Sequence, residues 1–169
     1  MIYKLLKILL SLNMLLPGYI DNTVKAPKEE QHECNKIYQA VFSLDKTEKQ
    51  MCEFYGSDGE RIIISMTSIE SGRSGMHGKS VSEGAHFIEY YSYLISMSFI
   101  IAVLNEEIVD GYGGSFSSAY YEYQSSTLQV LSSKLARYSV RHRRGVTVYL
   151  SKLSAEITSS GTLNVTFQF

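Results

Sequence analysis

The 169 residues suffice for one ordinary domain, and a composition of 44% hydrophobic and 20% charged residues with two prolines excludes disordered, collagen-like and polyproline chains. Sixteen basic against seventeen acidic residues leave a formal charge of −1, so the broad basic field of a dedicated nucleic-acid binder is missing. Two cysteines cannot build a four-cysteine zinc site, and no two histidines stand at i, i+4 around a glutamate, so neither metal nor cofactor is expected.

The N-terminal segment MIYKLLKILLSLNMLLPGYI places Lys4 and Lys7 ahead of an uncharged run, Ile8 to Ile20. That run has the length of a signal-peptide core. The cleavage signal is poor, because Leu16-Pro17-Gly18 lacks a small first residue and Val24-Lys25-Ala26 is followed by Pro27. With both lysines snorkelling, residues 2–20 give roughly 28 Å of helix, enough to cross a bilayer core of ~30 Å. The sequence predicts a single-pass anchor over residues 1–20, with a cleaved signal or a buried helix as alternatives. The lysines then face the cytoplasm, and residues beyond about 21 lie in the periplasm of a bacterium with this segment in its inner membrane. Residues 21–32, DNTVKAPKEEQH, are polar and aperiodic and read as a tether, leaving 33–169 as an exported domain. Cys34 and Cys52 would there close a loop of about 19 residues as a disulfide worth roughly 3 kcal/mol. Two unrelated thiols are the alternative.

Beyond the tether, β-branched and aromatic residues dominate short runs bounded by Gly, Ser and Asp: Ile37 and Val41, Ile62 to Ile64, and Phe87 to Tyr93. Ser57-Asp58-Gly59 predicts a turn between a strand ending at Tyr55 and one covering Arg61 to Ile69. Ser71 to Gly84, with four glycines, and Gly113-Gly114 read as loops. Leu128, Leu131, Leu135 and Tyr138 recur at i, i+3, i+7 and i+10 behind the caps Ser125 or Ser126, which predicts one helix. Val146, Val148 and Leu150 start a strand, Ser159-Ser160-Gly161 turns it, and Leu163, Val165, Phe167 and Phe169 alternate with polar residues as a half-buried strand. The expected fold is mainly β (α+β): six to eight antiparallel strands in a partly closed barrel or curved sheet, with one packed helix.

Chemistry-bearing constellations are few. His32, His77, His86 and His142 lie in different segments, and Ser74, in Gly72-Arg73-Ser74-Gly75, misses the spacing of a nucleophile elbow. The chain reads as a non-enzyme, an exported hydrolase being the most distant alternative. Residues 113–169 carry six basic against two acidic residues, concentrated at Lys134, Arg137, Arg141, His142, Arg143 and Arg144. This run is a solvated helix end and turn, a docking surface for an acidic partner or, least favoured in an exported domain, an RNA or DNA contact. The tyrosine groups 90, 91, 93 and 112, 120, 121, 123 suit a protein interface, an amphipathic small ligand or ordinary strand packing.

An inward-positive anchor, a polar tether and a β-rich exported domain resemble, as a layout, the ToxS type of bacterial accessory protein and the similar PsaF and MyfF proteins. The resemblance implies a partner: a membrane-spanning transcription activator of virulence or fimbrial genes, whose exported domain the accessory protein binds and stabilises without touching DNA. It carries over no individual residue. The alternative is an exported β-barrel that binds a small amphipathic ligand or assists fimbrial assembly. The residues expected to meet the partner are the strand Leu163, Val165, Phe167 and Phe169, if it lies at a sheet edge, and the basic cluster Arg141, Arg143 and Arg144. His142 would add charge there as pH falls through about 6.5.

Overall fold

Ten strands form in the computed structural model, which describes residues 36–69 and 83–169, all within one compact unit, Cys34–Phe169. They are β1 (Ile37–Ser43), β2 (Gln50–Tyr55), β3 (Arg61–Ile69), β4 (Gly84–Tyr91), β5 (Ser96–Leu104), β6 (Glu107–Ser117), β7 (Glu122–Ser132), β8 (Leu135–Arg144), β9 (Thr147–Ile157) and β10 (Thr162–Gln168). The expected anchor and tether, Cys34, His32, Ser74 and His77 lie outside the described residues.

All pairing is antiparallel, in two five-stranded sheets ordered β1-β10-β9-β8-β7 and β2-β3-β4-β5-β6. The chain meanders from neighbour to neighbour and changes sheet twice, between β1 and β2 and between β6 and β7. These changes leave two seams, so the barrel is not closed. At the second seam the Ile108 N–H still donates to the Ser133 carbonyl at 2.7 Å, and Leu128 and Val130 lie over Gly111.

Period-two patterning marks β4, β5, β8, β9 and β10, whereas β6 and β7 are exposed along most of their length. In β5, Met97, Phe99, Ile101 and Val103 point inward while Ser96, Ser98, Ile100 and Ala102 point out. Asn105 and Glu106, with φ of 52° and 58°, turn β5 into β6 as a two-residue type I′ hairpin demands. The interior is filled from both sheets. Tyr90 stacks on Phe167 with ring centroids 3.5 Å apart, and Phe99 meets Tyr138 at 6.4 Å. Each fully buried large side chain of this set stabilises the fold by about 1.5–3 kcal/mol. Gly114 of β6 lies against the Tyr138 ring so closely that a Cβ would stand 2.7 Å from Cε2. Gly113-Gly114 is therefore strand, not loop.

The expected helix is a hairpin. Leu128 and Leu131 belong to β7, and Leu135 and Tyr138 to β8. Ser132 makes the turn between them, its hydroxyl accepting the Lys134 N–H at 3.2 Å. What decides the matter physically is β8, where Ala136, Tyr138, Val140 and His142 are buried in strict alternation with Arg137, Ser139, Arg141 and Arg143. A helix would bury an i, i+3, i+7 stripe and leave the arginines scattered around its circumference.

Candidate functional site

The basic run divides by face. Arg141 and Arg143 point outward from β8, opposite Leu150 and Val148 of β9, and both are exposed, as is Arg144. Arg143 is paired with Glu122 of β7, Nε to Oε2 at 2.7 Å. His142 points inward and is fully buried, which corrects its expected place on a charged surface. Its Nε2 lies 2.8 Å from Ser151 Oγ, and its ring is boxed by Phe116, Tyr121, Tyr149 and Phe169 with centroids between 4.8 and 5.7 Å away. Nδ1 has no hydrogen-bond partner. Burial pushes the imidazole down from 6.5 to about 4, so it stays neutral over the range where a surface histidine would charge. The same surroundings, burial first, raise the Tyr121 hydroxyl above its ordinary value, partly offset by Arg144 beside it.

The strand expected to receive a partner cannot do so. β10 is hydrogen-bonded on one side to β1 and on the other to β9, and Leu163, Val165 and Phe167 are buried in the core, with Phe169 half-buried in the aromatic box. Alternation identified an inner face correctly, but it does not distinguish a central strand from an edge.

Of the two seams, the one between β1 and β2 leaves its edge strands the more open, since the Ile108 N–H bridges the other. Among the described residues β1 pairs only with β10, and β2 only with β3. The Ser43 N–H donates to Gln50 Oε1 at 3.0 Å, and Gln50 Nε2 donates to the Ser43 carbonyl at 2.7 Å, so Ser43 turns its backbone away from β10. Lys36, an odd number of residues away, turns its carbonyl the other way, to the Phe169 N–H at 3.1 Å. By strand alternation Ile37, Gln39 and Val41 also aim their backbone groups outward along this edge. Ile37 and Val41 are each 61% exposed, Met51 and Tyr55 of β2 are exposed as well, and the inward-facing Cys52 and Phe54 are only half-buried. Cys52 thus sits beside the seam; its expected partner, Cys34, is outside the described residues.

The tyrosines part company by alternation. Tyr90 enters the core, where burial raises its hydroxyl well above the usual value, whereas Tyr91 is exposed. Tyr93 is 70% exposed in the turn after β4, its ring 5.2 Å from that of Tyr120 and its hydroxyl bonded to the Tyr120 hydroxyl. The antiparallel registers bring this turn, the β6–β7 connection, the β8–β9 turn and Phe169 to one end of the unit. The β8–β9 hairpin runs furthest. The last β9–β10 pair is Lys152 with Gln168, and residues 147–151 continue past it, roughly 17 Å of extended chain. Val146, expected to open this strand, lies in the turn before it and is 99% exposed, and Val148 and Leu150 of β9 face outward too. Ser151, Leu153, Ala155 and Ile157 form the buried face instead.

A groove of about 220 Å³ crosses the outer face of β8, β9 and β10, with Arg137, Lys152 and Glu156 among its lining and Arg137 Nε donating to Ser154 Oγ at 3.1 Å. Asn164 Oδ1 is buried in this lining without a hydrogen-bond partner. Among the described residues, no three His, Cys, Asp or Glu side chains converge as metal ligands, and no helix is long and apolar enough to cross a membrane.

Fold and surfaces together define an antiparallel two-sheet β protein with an open seam and a projecting hairpin. No protein-family model matches the chain, and no curated protein matches it. Among solved structures, a hypothetical protein from Listeria monocytogenes EGD-e is similar at a TM-score of 0.44 and 19% identity, over 71% of this chain and 99% of that one.

Proposed function

We propose that this chain is a membrane-tethered, exported binding protein that holds the exported domain of a membrane-bound transcription activator, by accepting a strand of that partner at the β1/β2 seam. The observation that carries the proposal is the outer edge of β1, where Ile37, Gln39 and Val41 aim backbone donors and acceptors away from β10 beside exposed apolar side chains. An unpaired edge of this kind is a template for a further strand, and its apolar side chains fix the register. The basic residues Arg141, Arg143 and Arg144 are remote from that role.

The test is co-expression with a one-pass regulator of this class from the same genome, followed by limited proteolysis of the regulator's exported domain. Lysine on an edge strand opposes pairing. Val41→Lys with Met51→Lys leaves the fold intact, since both side chains are exposed, and abolishes protection of the regulator. Full protection by this variant would remove the seam from the account. A second reading, a module for a small polar ligand, is favoured by the groove over β8 to β10. At about 220 Å³ it lies below the roughly 300–1,000 Å³ of drug-sized sites, so it suits a small ligand only.

A further inference from the structure

The β8–β9 hairpin carries an arrangement that neither the core nor the seam uses. Its two-residue turn is Gly145-Val146, with Gly145 at φ 59° in the first central position, as a type II′ hairpin requires. The turn holds Val146 out at 99% exposure. Behind it, the outer face places Val148 opposite Arg143 and Leu150 opposite Arg141, while Arg144 stands next to the turn on the other face, beside Tyr121. The result is an apolar tip with cations behind it. It is the pattern by which peripheral segments enter the headgroup region of an anionic bilayer, the apolar side chains reaching the acyl boundary and the guanidinium groups staying with the phosphates.

We infer that the β8–β9 hairpin docks on an anionic lipid surface, with Val146 inserted and Arg141 and Arg144 on the headgroups. Charge complementarity favours lipid, because Arg143 is neutralised by Glu122 whereas Arg141 makes no ion pair among the described residues. Position favours it as well. Ile37, where the chain enters β1, lies at the same end as the tip, and Tyr93 and Tyr120 flank that end with the amphipathic rings typical of membrane interfaces. The inference rests in part on reading residues 1–20 as an anchor.

The chain has no tryptophan, so Val146→Trp introduces a single indole. The full-length variant is mixed with vesicles of phosphatidylcholine, with and without phosphatidylglycerol, including lipids brominated on their acyl chains. With phosphatidylglycerol the emission shifts to the blue and brominated chains quench it. Arg141→Gln and Arg144→Gln each weaken the effect about fivefold in vesicle concentration, and raised salt weakens it further. Ser160→Trp, at the opposite end, is the control and stays unquenched. An indole at position 146 that remains water-exposed and unquenched with anionic vesicles would overturn the inference and turn the hairpin into a protein contact. Fractionation keeps the two readings apart: a cleaved, soluble chain whose indole is still quenched retains the docking and loses the anchor, and an anchored chain whose indole is not quenched does the reverse.

Discussion

His142 Nε2 lies 2.8 Å from Ser151 Oγ across the β8–β9 pair, and among the described residues this hydrogen bond is the one polar contact of an imidazole otherwise enclosed by aromatic rings. Unfolded, the side chain titrates near 6.5, while burial in the folded chain holds it at about 4. Between those values the unfolded chain takes up the proton and the folded chain does not. Stability is therefore full above about 6.5 and falls as pH drops toward 4, by at most about 1.4 kcal/mol per pH unit from this group. Urea unfolding across that range checks it. The double variant His142→Phe with Ser151→Ala removes both partners of the bond, which is nearly neutral at pH 7, and flattens this part of the profile.

Gly114 is fixed by close approach. A Cβ there would stand 2.7 Å from Tyr138 Cε2, and the Tyr138 ring is buried against Phe99 with no open side to move into. Gly114→Ala should cost about 1–3 kcal/mol by overpacking, read as a lower urea midpoint with unchanged slope. Trimming the ring in the same chain, as Tyr138→Leu, makes the glycine substitution cheaper, so the two changes are non-additive.

On the β2–β3 hairpin, the Arg61 guanidinium and the Tyr55 hydroxyl both donate to the Glu53 carboxylate, which holds it down at about 2. Glu53 should stay ionised through the pH range in which exposed carboxylates titrate, as followed by carboxyl carbon chemical shifts. Arg61→Gln returns it toward 4.5. The site is exposed, so overall stability should hardly change.

How much of this was legible in the sequence depends on the range of the interaction. The Ser57 to Gly59 turn and the buried set Leu163, Val165 and Phe167 follow from local chemistry and period-two patterning, and the structure has them. The helix expected over Leu128 to Tyr138 failed because four residues at helical spacing straddle a turn without Gly or Pro, and Ser132 supplies that turn through its hydroxyl. Val146, Val148 and Leu150 read as the start of a strand, and β9 begins one residue later, at Thr147, with Val146 in the Gly145-Val146 turn and all three side chains exposed. The seam was illegible because it depends on β1 pairing with β10, at the far end of the chain, which among the described residues leaves one edge of β1 unpaired. His142 was hidden by its arginine neighbours, although its place in the alternation Ala136, Tyr138, Val140 was the signal that it faces inward.

Backbone hydrogen exchange of the full chain, measured with and without the regulator's exported domain, tests strand addition at the seam most directly. The account predicts new protection at the outward-facing amides of β1, Ile37, Gln39 and Val41, and along β2, with β10 unchanged because its backbone is already paired on both sides. A bound partner that leaves those β1 and β2 amides exchanging at their original rates would contradict it.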